Sequence, residues 1–190
     1  MEKKLIIVSN RLPYTIKKIG DQFEVITSSG GLVSAIQSMQ NENKITWVGA
    51  ADFSEEDWKE YSKLNIKQGI DIIPLFLEKE TESLYYNGFS NTLLWPLFHY
   101  FTTIAEYNEA YYVAYKTVNR IFSDAISAIA TKGDIVWVHD YHLMLVPGML
   151  KQGDKKVNSS FFLHIPFPSY EIVKLIPQEW RDEILKSLVQ

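Results

Sequence analysis

Four consecutive apolar residues, Leu5 to Val8 in "KLIIVSNR", stop abruptly at Ser9-Asn10-Arg11. A run that is apolar at every position, rather than at every second one, suits a strand buried on both faces, as the strands of parallel sheets are. The shape recurs in "KITWVG", in "IDIIPLFL", in "DIVWV" from Asp134 to Val138 and in "SSFFLH" from Ser159 to His164. Helical patterns stand between and after these runs. "SEEDWKEYSKL" has Ser54 as N-cap and Asp57 at the capping-box position, where Glu or Gln is the usual residue. Asn91 to Ala130, "HLMLVPGMLK" and the chain from Ser169 onward also read as mainly helical. Strands alternating with helices specify an α/β fold, a Rossmann-like parallel sheet flanked by helices with right-handed crossovers. One stretch departs from the alternation: "YTIKK" and "FEVIT" flank "IGDQ", an early β-hairpin with a Gly-Asp turn. "SSGG" then opens a helix with Leu32, Val33, Ile36 and Met39 on one face.

Bulk properties narrow the classes of function. At 190 residues, 46% of them hydrophobic, the chain suits one domain or one large half-domain with a sizeable core. A formal net charge of −4 provides no global basic field for nucleic acid or anionic lipid. The absence of cysteine excludes disulfides and thiolate metal sites, and it fits a cytosolic protein. "MEKKLIIVSNR" is too short in its apolar part for a signal-peptide core or a membrane span, and no other run approaches membrane length. The expectation is a soluble, cytoplasmic protein.

In open parallel sheets, ligands bind beyond the carboxyl ends of the strands. Arg11 follows the first strand, His139 and Asp140 follow "DIVWV", and His164 closes "SSFFLH", so all should converge on one rim. The Arg11 guanidinium is a planar fork suited to phosphate or carboxylate, and its plainer reading is a solvated surface arginine. Gly30-Gly31 at a helix start is a candidate anion site or a simple turn; both GxGxxG and the Walker loop are absent. "YYNGFSNTLLWPLFHY" sets aromatic faces beside amides, a mixture that suits a sugar. Leu93, Leu94, Leu97 and Phe98 read as core, while Tyr86 and Trp95 divide evenly between core and ligand. "HDYH" lacks any metal-ligand spacing, so Asp140 reads as an acceptor for a sugar hydroxyl or a counter-charge, and His142 and His99 as structural histidines. Pro166 and Pro168 stiffen the exit from the last strand and restrain the His164 imidazole.

Five blocks in this order, "LIIVSNRLP", "SSGGLVSAI", "YYNGFSNTLLWPLFHY", "GDIVWVHDYHLMLVPGML" and "FFLHIPFPSYEI", resemble the trehalose-6-phosphate synthase family, retaining glycosyltransferases of GT-B architecture. The resemblance covers essentially the whole chain and is weakest between about Asp52 and Ser83. It implies transfer of glucose from UDP-glucose to glucose 6-phosphate with retention. It implies that Arg11, Tyr86 and Trp95 bind the acceptor and that Gly30 and Gly31 lie near the donor phosphates. Asp140 and His164 would be the catalytic pair, holding sugar hydroxyls around the reacting centre. No metal and no cofactor is implied; the partners are the two small-molecule substrates, with no nucleic acid or membrane, and a homo-oligomer is left open.

Two departures qualify the resemblance. Ala50 in "TWVGAA" stands where the family often has a second Trp, so no ligand role is carried to that segment. The family also has a second Rossmann-like domain that supplies cations for the donor diphosphate. Residues 1–190 are therefore expected to be an incomplete N-terminal, acceptor-side domain, with little or no transferase activity alone. The alternative expectation is a non-catalytic sugar-phosphate-binding or regulatory subunit.

Overall fold

The computed structural model describes residues 4–28, 31–38, 44–64, 69–153 and 157–189. Gly30 and Met39, both singled out in the sequence, lie outside the described residues. The all-apolar runs become a five-stranded sheet of β1 (Lys4–Arg11), β4 (Lys44–Ala50), β5 (Asp71–Leu75), β6 (Ile135–His139) and β7 (Asn158–Phe162). Its order is β5-β4-β1-β6-β7, and every pairing is parallel. The hairpin forms as read, from β2 (Tyr14–Ile19) and β3 (Gln22–Thr27), and turns through Gly20 at φ 60°.

β1 lies at the centre because it has something to bury on each side. Ile6 and Val8, with Val48, Val136 and Val138, pack under α5 (Glu109–Ile129), α6 (Val146–Gln152) and α8 (Gln178–Leu188). Ile7, with Ile45 and Trp47, packs instead against the hairpin, α1 (Gly31–Ser38) and α2 (Glu55–Lys63). Ser54 caps α2 by accepting from the Asp57 N–H at 3.0 Å. The shorter Asp57 carboxylate takes the Ser54 hydroxyl at 2.8 Å. Pro74 is tolerated in β5 because that strand is at the sheet edge.

Three expectations are corrected. "SSFFLH" reads as an inner strand, yet β7 is the opposite edge, ends at Phe162 and leaves that ring 48% exposed. Its polar start, Asn158-Ser159-Ser160, suits an edge, and the Asp140 N–H donates to the Phe162 carbonyl at 2.8 Å as the last link to β6. His164 therefore sits in the turn beyond the strand. The helix expected over residues 91–130 is broken. A π-helical segment, Leu84–Leu94, continues α3 (Lys79–Ser83) and runs into α4 (Trp95–Phe98). Pro96 brings no N–H to the Thr92 carbonyl, which accepts instead from Glu106 at 2.8 Å as the chain turns back. A new helix starts only at Glu109, capped by the Asn108 side chain accepting from Ala110 at 2.9 Å. The region after "DIVWV" is also divided, into a 3-10 turn (Tyr141–Leu143) and α6. A 3-10 turn (Thr102–Ile104) and α7 (Tyr170–Val173) complete the elements among the described residues.

Candidate active site

The carboxyl ends of β1 and β6 and the turn after β7 enclose an open cleft of about 590 Å³, whose lining includes Arg11, Gly31, Tyr86, His139, Asp140, His142 and His164. Convergence of the strand ends on one rim is therefore observed.

Arg11 leaves β1 where the register with β4 shifts, between Val8 and Arg11. Trp47 holds this exit from below: its indole N–H donates to Ser9 Oγ at 2.9 Å, and the Ser9 hydroxyl donates to the Arg11 carbonyl at 2.7 Å. Gly49 is required beneath it, because a Cβ there would stand 2.8 Å from the Arg11 carbonyl carbon. The guanidinium lies 5.3 Å from the centroid of the Tyr86 ring, and no carboxylate among the described residues pairs with it. Tyr86 comes from the π-helical segment and stacks on His142 at 5.5 Å and 11°. His142 in turn stacks on Tyr141 at 4.1 Å.

Asp140 has φ 74° and ψ 164°, a conformation that L residues adopt only when their surroundings impose it. The imposing contacts are visible. Its N–H is used on Phe162, its Oδ1 accepts from the Tyr141 N–H at 3.0 Å, and its carbonyl accepts from Leu143 at 3.1 Å. Oδ2 lies 3.9 Å from His142 Nδ1, too far for a hydrogen bond.

Helix α5 holds the whole turn from behind. The buried Tyr115 hydroxyl donates to the Tyr141 carbonyl at 2.7 Å and accepts from the Met144 N–H at 3.0 Å. The buried Asn119 donates to the His142 carbonyl at 3.0 Å and accepts from the Leu145 N–H at 3.1 Å. From the π-helical segment, the buried Tyr85 hydroxyl donates to the Asn10 side chain at 2.9 Å. Burial keeps His142 neutral, with its pKa down at about 4 despite the opposing charge of Asp140. His139 also lies near 4, through burial and then through repulsion from His164.

His164 is exposed, and its Nε2 lies 3.1 Å from His139 Nδ1. Gly31 begins α1 on the cleft wall, and a Cβ on it would meet nothing within 4 Å. Trp95 is not brought into this lining. It stands 39% exposed, held by stacking on His99 at 4.2 Å and Phe101 at 6.2 Å. Leu93, Leu94, Leu97 and Phe98 are buried, as read from the sequence. On the far side of Arg11 and Tyr86 a second cavity, about 150 Å³, is lined by Ala50, Asp52 and Glu82 among others. No three His, Asp or Glu side chains gather as a metal would need, among the described residues.

Sequence reasoning missed the groups that hold the site, Trp47, Tyr85, Tyr115 and Asn119. A polar Asn among the aromatics of a long helix is the one signal that could have marked Asn119.

A guanidinium over an aromatic ring, a carboxylate and an imidazole thus share the carboxyl rim of a parallel sheet, the edge at which open α/β folds take their ligands. The particular family follows from comparison: the sequence profile of glycosyltransferase family 20 matches residues 3–190, and the chain belongs to that family. It is 43% identical over 195 aligned positions to α,α-trehalose-phosphate synthase (UDP-forming) 1 of Aspergillus niger, covering 99% of this chain and 37% of that one. It is 41% identical to a bifunctional trehalose-6-phosphate synthase/phosphatase of Thermoproteus tenax, covering 98% and 26%. An E. coli trehalose-6-phosphate structure bound with UDP-2-fluoro glucose superposes with a TM-score of 0.78 at 28% identity, covering 98% of this chain and 38% of that one. A Burkholderia xenovorans synthase in complex with glucose-6-phosphate gives 0.73 at 27% identity, covering 97% and 38%. The chain thus spans a little over a third of the length of the first relatives. The family resemblance carried by the five sequence blocks is borne out, and so is the Rossmann-like half-fold.

Proposed function

We propose that this chain forms the acceptor-side wall of an α,α-trehalose-phosphate synthase, transferring glucose from UDP-glucose to glucose 6-phosphate with retention, in the cytoplasm. The observation that carries the reading is the Arg11 guanidinium over Tyr86, without a carboxylate partner among the described residues, in one cleft with Asp140 and His164. A guanidinium that no carboxylate among the described residues neutralises is available to a phosphate at little cost, since none of those residues forms an ion pair that has to be broken first.

In this reading Arg11 and Tyr86 hold the acceptor phosphate, and Trp95 closes on the acceptor sugar from outside the present lining. The backbone of Gly31 at the start of α1, with Gly30 before it in the sequence, receives the donor phosphates. Asp140 and His164 hold sugar hydroxyls at the reacting centre. The Asp140 side chain is set rigidly by its own backbone, so as a carboxylate it stabilises positive charge developing on the donor sugar without reorganising. Acceptor attack on the face the leaving phosphate departs from lets that phosphate take the acceptor proton, with no nucleophilic carboxylate required. Orientation and charge stabilisation supply the acceleration. The main cations for the donor diphosphate would come from a second domain, so donor affinity is expected to be the weaker of the two in these 190 residues.

Calorimetry tests the reading. Glucose 6-phosphate should bind with sub-millimolar Kd, and Arg11→Ala should weaken it about tenfold or more, the scale of one charge-assisted contact. Absence of binding, or binding that ignores Arg11→Ala, overturns the acceptor assignment. UDP release in the presence of both substrates should be negligible, and turnover near that of a full-length relative would overturn that expectation.

A further inference from the structure

His139, at the end of β6, and His164, in the turn beyond β7, meet nitrogen to nitrogen at 3.1 Å, so a single proton lies between the two rings. Which ring owns that proton decides the state of both. His139 is 1% exposed, packed against Trp137 at 4.6 Å and Phe162 at 6.2 Å. Its other nitrogen, Nε2, is buried and has no hydrogen-bond partner among the described residues. A neutral imidazole has one N–H to place. If Nε2 carried it, a donor would be buried against ring carbons with nothing to accept it, the arrangement folded proteins tolerate least. If Nδ1 carries it, the one N–H of the ring is used and only a lone pair is left over. Burial keeps the ring neutral at ordinary pH, so no second proton is available to satisfy both nitrogens.

We infer that His139 donates its Nδ1–H to Nε2 of His164 and thereby locks His164 in the Nδ1–H tautomer, making His139 a positioning residue for the cleft. With Nε2 of His164 occupied as an acceptor, Nδ1–H is what that ring has left for a ligand. His164 is then an uncharged donor, matched to a sugar or phosphate oxygen, beside Asp140, whose Oδ2 is an acceptor. A donor that carries no net charge leaves the charge balance between Arg11 and Asp140 untouched. The role toward a sugar rests on the transferase reading above; the tautomer does not.

Long-range ¹H–¹⁵N correlation of the imidazoles, on this chain without ligand near pH 7.5, reads the tautomer directly. Wild type should show the Nδ1–H form of His164 in at least about tenfold excess, equivalent to about 1.4 kcal/mol. His139→Phe should return His164 to a mixture in which the Nε2–H form dominates. His139→Asn, whose amide N–H₂ falls near the former Nδ1, should restore the Nδ1–H form. An Nε2–H His164 in wild type overturns the inference, as does a tautomer unchanged by His139→Phe. The wild-type spectrum alone decides the first point, so the test survives a variant that fails to fold. Failure of glucose 6-phosphate or UDP to shift the His164 signals would count against the transferase reading only.

Discussion

On one face of the sheet Val8, Val48, Val136 and Val138 disappear under α5, α6 and the π-helical segment. On the other face the cover reaches β5, β4 and β1 but thins over β6 and β7, where Ile135 and Phe162 remain about half exposed at 47% and 48%. The functional groups divide along the same line. The turn that carries Asp140 and His142 hangs from buried hydrogen bonds to α5, on the well-covered face. The glycine start of α1 belongs to the thinner face and touches little. The difference teaches which parts of the rim are fixed before a ligand arrives and which can adjust to one. A strained Asp140 can be held only where the surrounding contacts outweigh its cost of about 1–3 kcal/mol.

The sharpest way to break this comparison is Asn119→Leu. It strands the His142 carbonyl and the Leu145 N–H in the interior, and unfolding in urea should lose about 3–5 kcal/mol at unchanged m-value. A loss under about 1 kcal/mol would mean that the turn is not held by α5. Acidification probes one buried histidine on each face, His142 on the well-covered side and His139 beside Trp137 and Phe162 on the thinner one. His139 and His142 have folded pKa values near 4, below the ordinary 6.5 of an unfolded histidine. The unfolded chain therefore binds more protons between those values, and stability should fall as pH drops from about 6.5 to about 4. Each histidine contributes up to roughly 3 kcal/mol. His142→Phe should remove about half of that slope in a pH series of thermal melts, and an unaltered slope would place the protonation elsewhere. Gly49→Ala tests the support under Arg11. The added methyl must displace the Arg11 backbone, which should cost about 1–3 kcal/mol and weaken glucose 6-phosphate binding at the same time. Gly31→Ala is the smallest change, within about 0.5 kcal/mol in stability, because the site has open space and a helix accepts Ala readily. A large destabilisation there would show that the thin face is packed as firmly as the other.

Much of this was legible in the sequence, for identifiable reasons. A strand buried on both faces must be apolar throughout, so β1 and β4 announce themselves, and β6 shares the pattern although Ile135 stays half exposed. The polar residue that ends each run marks the ligand rim by the topology of parallel sheets, which is how Arg11, Asp140 and His164 could be placed together. The rest depends on contacts that no local pattern encodes. The split helix between residues 84 and 129 follows from Pro96 giving up a donor and Thr92 finding another in Glu106. The edge position of β7 depends on which strands neighbour it. The pairing of His139 with His164 needs the β6–β7 register, in which His139 stands beside Phe162. Trp95 reads evenly as ligand or core, and its stack on His99 and Phe101 could not be foreseen from spacing.

The π-helical segment carries one more consequence, for length rather than for composition. Its wide turns place Tyr86 at the cleft while Gly88, two residues on, lets the Tyr111 ring come to within 2.7 Å of where a Cβ would be. Each residue of an α-helix advances the side-chain direction by about 100°, and each residue of a wider π-helical turn by less. Removing a single residue between Gly88 and Leu94 would tighten the coil and swing everything on one side of the cut by a sizeable fraction of a turn. Either the docking onto α5 or the descent to Trp95 would lose its register. Point substitutions along this segment should be absorbed more readily than any one-residue deletion, so the spacing from Tyr86 to Trp95 works as a ruler that the chain cannot shorten.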